Sequence, residues 1–388
     1  MVTKEAAAWR SVGALSAIAL LVHGVTLFSL GLVMPAMAKD FGGHAGWAGT
    51  ALLIALSLAS LPVGWALTQF DARRVIAAGM LLTAAGWAAA AASHYRLALL
   101  CAMAVAGAGI AAATIVPGIA IITRDTAARR GTALALFLGA TIVAGAALPP
   151  VSAWAIGLWG WRGAMARGAG AMLALGLPLA LMVTRGPAGV LDSGVRPPRA
   201  TLTQRDFLLV AGAMTLLQLA INGILFATID ALTHQGLGRA HAVAAYSLAN
   251  LAGLPALLLA GLVTDRVGAR RAMVAISLTL AAGSAALASA GPMEPAGLAA
   301  FVLLWGVASA LPGQAGAMLL ADVTGQAAFP RMLGIVTALI GLVGATAPVL
   351  TDALRGADGS YTTAILVYAG LAGAAAPFIA MVRRGRSD

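Results

Sequence analysis

Long apolar segments dominate this sequence and limit the folds open to it. A helix needs roughly 20 consecutive apolar residues to cross the hydrocarbon core of a bilayer, and about twelve such stretches follow one another along the chain. They lie at 11–37, 46–68, 74–93, 97–123, 131–154, 164–184, 207–232, 242–264, 272–290, 296–321, 332–352 and 361–382. Of the 388 residues 61% are apolar and only 10% are charged, which excludes an ordinary soluble domain and a disordered chain. The sequence therefore predicts an all-α membrane protein with twelve transmembrane helices.

The net charge of +11 reflects membrane topology. If both termini are cytoplasmic, 18 of the 24 Lys and Arg residues fall on the cytoplasmic side of the predicted helices. Such an excess is the positive-inside pattern, which orients a membrane protein during insertion. The basic residues therefore imply the lipid bilayer as a partner and no nucleic acid. Compact loops and the lack of an appended domain favour the inner membrane of a bacterium.

The sequence lacks the motifs that are typical of metal centres and enzymes. A single Cys excludes a disulfide framework and a cysteine zinc cluster. The patterns H-E-x-x-H and G-x-S-x-G, and acids paired at catalytic spacing, are also absent. None of the glycine-rich runs joins a predicted strand to a helix, which a nucleotide-binding loop requires. We therefore expect no enzymatic activity, no metal and no cofactor.

The two halves of the chain repeat each other. The segment GWALTQFDARR at 64–74 recurs as GLVTDRVGARR at 261–271, 197 positions later. Two further landmarks recur in the same order at similar offsets, Pro117-Gly118 as Pro312-Gly313 and Gly145-x3-Pro149 as Gly344-x3-Pro348. A duplicated six-helix unit is typical of transporters that hold their solute near the midplane of the membrane between the halves. We predict bundles at 1–184 and 206–388, joined by a polar cytoplasmic linker at 185–205.

The repeated loop resembles the signature loop of the major facilitator superfamily. In the second half it reads Gly261-Leu-Val-Thr-Asp265-Arg266-Val-Gly268-Ala-Arg270-Arg271, and the resemblance extends along the whole chain. It implies the major facilitator-type fold, with two pseudo-symmetric six-helix bundles, and a latch in which the Asp265 carboxylate pairs with arginines to hold the cytoplasmic side closed. The residues of this cytoplasmic gate are Gly261, Asp265, Arg266, Arg270, Arg271, Arg73 and Arg74. The first copy of the loop has Thr68 in place of the acid and Asp71 in place of the second glycine. The alternative interpretation is that both loops are only basic segments that fix the membrane topology.

A finer resemblance is to the monocarboxylate porter and oxalate–formate antiporter branch. It is carried by Met34-Pro35, Asp40-Phe41-Gly42, the fifth-span residues Gly139, Gly145, Pro149 and Pro150, and Gly160-Trp161-Arg162. That branch implies an Arg in the eighth span that meets the substrate carboxylate, but Leu254 stands there, a few residues after Asn250. Met103 likewise stands where proton-driven drug exporters of the superfamily carry an Arg. A buried carboxylate without a cationic partner is costly, so the sequence favours a monocarboxylate carried as an acid, or a neutral or zwitterionic metabolite.

Polar side chains inside the predicted spans are few, and each is costly in hydrocarbon, which makes it a functional candidate. Two pairs share a helix face, His23 with Thr26 in the first span and Gln218 with Asn222 in the seventh. The resemblance implies that the first, fourth, seventh and tenth helices line the cavity. The predicted substrate-binding residues are His23, Thr26, Thr114, Gln218, Asn222, Asn250, Trp305 and Gln314. The alternative is packing, with a neutral His bonded to a carbonyl group and the amides forming interhelical hydrogen bonds.

Two titratable groups are predicted to couple transport to protons. His23 is the one placed at mid-membrane, and an imidazole changes charge in the physiological range. Asp230 follows Asp206 by 24 residues, about 36 Å along a helix, which places it at the outer edge as a proton-accessible acid, an outer gate or an exposed helix-end carboxylate.

The sequence thus predicts a monomeric secondary transporter whose partners are a small-molecule substrate and protons. The alternatives are an exporter of amphipathic compounds or drugs, and a receptor or scaffold without transport.

Overall fold

The computed structural model describes residues 2–43, 45–126, 130–187, 205–290 and 295–383. Within these ranges every regular element is a helix, which confirms the all-α class. Nine helical segments of this part are long and apolar enough to cross a membrane, and one of them, Thr132–Met182, covers two predicted spans. The count of twelve crossings stays a prediction. The chain divides into two compact units, Met1–Asp192 and Ser193–Asp388.

The first unit contains eight helices among its described residues. They are α1 (Val2–Val25), α2 (Leu30–Phe41), α3 (Gly46–Gln69), α4 (Ala72–Ala92), α5 (Arg96–Ala113), α6 (Ile115–Asp125), α7 (Arg130–Ala171) and α8 (Leu177–Met182). A π-helical turn at Met172–Gly176 joins α7 to α8. Within α7 the backbone turns at Gly160, with φ 65° and ψ 173°, which separates the fifth predicted span from the sixth. Glycine adopts such a positive φ without the steric cost that a side chain imposes.

The second unit also shows eight helices in its described ranges. They are α9 (Arg205–His234), α10 (Arg239–Val267), α11 (Ala269–Leu287), α12 (Pro295–Ala300), α13 (Gly306–Ser309), α14 (Pro312–Gly344), α15 (Ala347–Ala353) and α16 (Thr362–Ala380). A π-helical turn at Phe301–Trp305 lies between α12 and α13. Thus α12, the π-helical turn, α13 and the start of α14 together occupy the tenth predicted span.

Prolines mark helix interruptions at matching positions of the two units. Pro117 has no N–H to donate to the carbonyl group of Ala113, and the helix is interrupted at Thr114, whose φ of −121° and ψ of −104° are not helical. In the second unit Pro312 begins α14 directly after the interruption at 310–311. The repeated Pro-Gly landmark therefore marks a broken helix in each unit.

Two glycines allow helices to approach closely at equivalent places in the two units. A Cβ at Gly107 in α5 would overlap the carbonyl oxygen of Leu52 in α3, and a Cβ at Gly306 in α13 would overlap that of Ala249 in α10. The two glycines are 199 positions apart and their partners 197 apart. The internal repeat therefore extends to individual backbone contacts, and small residues are what lets membrane helices pack this closely.

Candidate functional site

The first unit brings His23 and Thr114 together where two helices are interrupted. The helix α1 ends at Val25 and the chain makes turns over residues 26–29, while Thr114 separates α5 from α6. His23 Nε2 lies 3.1 Å from Thr114 Oγ1. The two residues are only 6% and 2% exposed. Interrupted helices of this kind form the solute and ion sites of many transporters, because unwound backbone presents polar groups.

The hydrogen bonds of Thr114 favour one tautomer of His23. The Thr114 hydroxyl donates to the carbonyl oxygen of Ile110 at 2.7 Å, and a hydroxyl has only one proton to give. When that hydrogen goes to Ile110, the hydroxyl oxygen accepts from His23, and Nε2 carries the hydrogen of the imidazole. Nδ1 has no hydrogen-bond partner among the described residues. It is an acceptor in the neutral imidazole and becomes a donor after protonation.

Thr26, predicted beside His23, shapes the helix end that carries the imidazole. Its hydroxyl donates to the carbonyl oxygen of Val22 at 2.6 Å, and the residue is fully buried. The backbone N–H of Phe28 donates to the carbonyl oxygen of His23 at 3.0 Å. These two bonds close the turn after α1 and so fix the position of His23.

In the second unit, Gln218, Asn222 and Gly344 are joined by hydrogen bonds. Gln218 Nε2 donates to Asn222 Oδ1 at 2.9 Å, and Asn222 Nδ2 donates to the carbonyl oxygen of Gly344 at 3.1 Å. Gly344 is the last residue of α14, where the chain is interrupted before α15. Both amide side chains are half-buried. The carbonyl oxygen of Gln218 has no partner in the part of the chain that the structure describes, so this group is an available acceptor.

The three other predicted residues of the second unit form no hydrogen bond with this pair within the described ranges. Asn250 donates from Nδ2 to the carbonyl oxygen of Tyr246, one turn back in α10, at 2.9 Å. Trp305 is 1% exposed and stacks on Phe301 with 5.4 Å between ring centroids. Its Nε1 has no partner among the described residues. Gln314 is exposed in the first turn of α14. Of the three residues, Asn250 is the one whose side chain donates a hydrogen bond to a described residue.

Asp230 lies among fixed charges near the end of α9. Its carboxylate is half-buried, and the charged groups close enough to act on it are Arg239, Arg355 and Asp352. Arg239 begins α10, and the other two lie at the end of α15 and just beyond it. Two arginines and one acid therefore lie close to this carboxylate.

At the predicted cytoplasmic end of the first unit, Asp71 binds two backbone segments. Its carboxylate caps α4 by accepting from the backbone N–H of Arg73 at 2.9 Å, and it accepts from the N–H of Gly186 at 3.0 Å. The N–H of Ala72 donates back to the carbonyl oxygen of Gly186 at 3.1 Å. Burial raises the pKa of Asp71, but the two N–H donors and the charges of Arg73 and Arg74 outweigh it, so the pKa lies below its usual value.

Arg124, at the end of α6, holds the same segment after α8. Its guanidinium donates to the carbonyl oxygens of Gly186 at 3.1 Å and Pro187 at 2.9 Å and to the Thr184 hydroxyl at 2.6 Å. Asp125 pairs with it at 2.6 Å. The sequence alone indicates only a positive charge on the cytoplasmic side at Arg124, because no motif connects it with a segment about 60 residues later.

The loop of the second unit is arranged differently. The predicted gate residues there are Gly261, Asp265, Arg266, Arg270 and Arg271. The first two fall within α10, but the side chain of Asp265 lies outside the described residues, so its pairing stays a prediction. Arg270 donates to the carbonyl oxygen of Ala380 at the end of α16. Arg266 and Arg271 are exposed.

Two motif segments of the first unit meet at the end opposite Asp71. Trp161 Nε1 donates to Asp40 Oδ2 at 3.1 Å, and Arg162 pairs with the same oxygen at 3.2 Å. Arg162 also donates to the carbonyl oxygens of Ala91 at 2.9 Å and Ser93 at 2.6 Å. These residues carried the finer family resemblance, and they connect the ends of α2 and α4 with the turn inside α7.

Comparisons with known proteins agree with this architecture. Residues 16–348 match the family model of the Major Facilitator Superfamily. Monocarboxylate transporter 11 of Mus musculus is 31% identical over 157 residues, which cover 39% of this chain and only 35% of that protein. A mutant of the nucleoside transporter NupG has a TM-score of 0.77 at 16% identity, covering 97% of this chain and 100% of the other. For a D-xylose-proton symporter the TM-score is 0.73 at 17% identity, with coverage of 98% and 99%.

Proposed function

Because this chain belongs to the Major Facilitator Superfamily, we propose that it is a secondary active transporter of a small organic solute, driven by protons. Membership of the superfamily makes the chain a transporter and not an enzyme. The observation that carries the finer proposal is the hydrogen bond between His23 and Thr114 at two helix interruptions. A nucleoside transporter and a D-xylose-proton symporter share the fold, and one sequence relative is a monocarboxylate transporter, which supports a small polar solute.

The side chains that we propose to bind the solute are hydrogen-bonding groups without fixed charge. They are His23, Thr26 and Thr114 in the first unit, and Gln218, Asn222, Asn250, Trp305 and Gln314 in the second. The hydrogen-bond acceptors in this set that have no partner among the described residues are His23 Nδ1 and the side-chain carbonyl oxygen of Gln218. This set contains no Lys or Arg, and a buried carboxylate without a cation is costly. The proposed solute is therefore neutral or zwitterionic, or a monocarboxylate that enters with its own proton.

His23 is the residue that we propose to couple the proton to the solute. Its Nε2–H stays bonded to Thr114 in both protonation states, so protonation changes only Nδ1, from an acceptor to a donor. The same imidazole then presents a different hydrogen-bonding group to the solute when a proton is bound. Asp230 is the second proposed group, and it lies near Arg239, Arg355 and Asp352. We assign the coupling first to His23, because protonation changes the hydrogen-bonding group that its imidazole presents.

Transport by purified protein in liposomes tests the proposal. Labelled lactate, uridine and D-xylose are offered with and without a pH gradient, and we expect one of these solute classes to accumulate when the gradient is imposed. In His23→Gln we expect solute exchange to persist and the pH-driven accumulation to be lost. Asp230→Asn is measured in the same way, to test the second proposed proton-coupling group. His94→Gln is the matched control, because His94 is exposed between α4 and α5.

Two results would contradict the proposal at different levels. If none of the three solutes moves under any gradient, the proposal of a small polar solute is wrong. If transport occurs but His23→Gln keeps the pH dependence of the wild-type protein, the assignment of the proton to His23 is wrong.

A further inference from the structure

A cavity of about 1000 Å³ lies at the predicted cytoplasmic end of the second unit. Its walls are the start of α11, the part of α14 around Leu319 and Asp322, and the end of α16. Three arginines line it, Arg270, Arg271 and Arg383, against the single acid Asp322. Cavities of this size hold organic molecules and not only small ions.

The positive charge of this cavity is not neutralised by the residues that the structure describes. Arg271 and Arg383 are exposed, and neither forms a hydrogen bond or an ion pair there. Arg270 donates to the carbonyl oxygen of Ala380, which carries no charge. Asp322 pairs with none of the three arginines. Three guanidinium groups and one carboxylate leave an excess of positive charge that suits an anionic ligand.

The start of α11 adds backbone donors to the same cavity. Its N-cap residue is Gly268, which has no side chain that could accept from the N–H groups of the first turn, and Gly268 and Ala269 line the cavity. In the first unit the equivalent helix begins after Asp71, 197 positions earlier. There the Asp71 carboxylate accepts from the backbone N–H of Arg73. The second unit thus has a glycine where the first has its own carboxylate, and the N–H groups at a helix start favour an anionic ligand.

An apolar wall continues from these charges along α11. Val274 and Leu278 lie one turn apart in the cavity wall, and Leu319 of α14 lines it as well. The side chain of Leu278 is 54% exposed. From Arg271 to Leu278 the helix rises about 10 Å. A soluble phosphate gains nothing from such a wall, whereas a phospholipid carries acyl chains next to its charged headgroup.

We propose that this cavity binds an anionic phospholipid, with its phosphate at Arg270, Arg271 and Arg383 and an acyl chain along Val274 and Leu278. Guanidinium groups bind phosphate oxygens through paired, charge-assisted hydrogen bonds. Basic pockets between helices on the cytoplasmic side of a membrane are suited to such headgroups. The bound lipid connects α11, α14 and α16, and so stabilises the second unit by mass action.

Native mass spectrometry and thermal unfolding of the full chain in a neutral detergent test this site. We expect added phosphatidylglycerol to stay bound and to raise the Tm, and phosphatidylcholine to do neither. The double variant Arg271→Gln and Arg383→Gln should bind phosphatidylglycerol about tenfold more weakly, since it loses two charge-assisted hydrogen-bonding groups. Arg205→Gln is the matched control, because Arg205 is exposed in the same unit outside the cavity.

A variant of the apolar wall distinguishes a lipid from a free phosphate. Leu278→Ala should weaken the binding of phosphatidylglycerol and leave that of glycerol 1-phosphate unchanged. If glycerol 1-phosphate or inorganic phosphate binds as tightly as phosphatidylglycerol, the cavity is a simple anion site and the lipid proposal is wrong. Equal binding of phosphatidylglycerol by the double arginine variant and by Arg205→Gln would overturn it as well.

Discussion

The indole N–H of Trp161 donates to the carboxylate of Asp40 at 3.1 Å and so connects the residues after the fifth predicted span with those after the first. The guanidinium of Arg162 lies 4.3 Å from the centroid of the Trp161 ring and pairs with the same carboxylate. Both segments were recognised from the sequence as family motifs. Their contact shows that the motifs form one structural cluster at an end of the first unit, which explains why an acid, an indole and a guanidinium occur at these positions.

We expect Arg162→Ala to destabilise the protein more than Asp40→Asn. The ion pair is 33% exposed at Arg162 and 42% at Asp40, and exposed pairs contribute only about 0–1 kcal/mol. Arg162 also donates to the carbonyl oxygens of Ala91 and Ser93, whose loss adds about 1–3 kcal/mol. Thermal unfolding of the purified variants measures the difference. Arg167→Ala is the control, because it removes an exposed guanidinium that donates within α7, and its Tm should stay close to that of wild type. A larger loss of Tm in Asp40→Asn than in Arg162→Ala would contradict this ranking.

The helix interruptions could be predicted from the sequence only in part. Pro117 and Pro312 lie at matching positions and both follow an interruption, because proline removes an N–H from the helix. Pro348 likewise lies at the start of α15. Its counterpart Pro149 lies inside the part of α7 that precedes the turn at Gly160. Packing around each proline decides whether the helix breaks there, and a sequence pattern contains no information about that packing.

Contacts within one helix could be predicted, whereas contacts between helices could not. Gln218 and Asn222 are four residues apart on α9, and their hydrogen bond follows from that spacing. The bond between His23 and Thr114 joins residues 91 positions apart. Periodicity identifies which face of a helix is polar, but it does not fix the axial register of two helices. For the same reason Arg124 was missed as a partner of the segment after α8.

The acceptor for His23 can be removed without changing the shape of the core. We expect Thr114→Val to lower the Tm, because a buried N–H without a partner costs about 1–3 kcal/mol, and to change the pH dependence of transport. Thr114→Ser keeps the hydroxyl and should resemble wild type. Thr83→Val is the matched control, since Thr83 is buried in the same unit and its hydroxyl donates only within its own helix, to Gly79 at 2.8 Å. Equal Tm values for the two valine variants would contradict a specific bond to His23.

The lowered pKa of Asp71 makes its contribution to stability depend on pH. A carboxyl group whose pKa is lower in the folded chain stabilises the fold fully above its unfolded value, and this stabilisation is lost as the pH falls through the folded value. Asp71→Ala should therefore lower the Tm at neutral pH. Its difference from wild type should shrink below the usual aspartate value of 3.8. Thermal unfolding from neutral pH down to about pH 3 measures this, and a difference that stays constant into acid would show that the charge of Asp71 contributes nothing.

The close helix approaches at Gly107 and Gly306 should tolerate no side chain. In either position a Cβ would overlap a backbone carbonyl oxygen, that of Leu52 or of Ala249, and backbone atoms can give way only if two helices separate. We expect Gly107→Ala and Gly306→Ala each to lose about 1–3 kcal/mol of stability, measured by thermal unfolding. In Gly170→Ala nothing lies within 4 Å of the new Cβ, so the higher helix propensity of alanine should leave the Tm equal or higher. Because the two tight contacts are copies of one another in the internal repeat, their losses should be similar, and a large loss in one unit alone would mean that only that unit depends on the close approach.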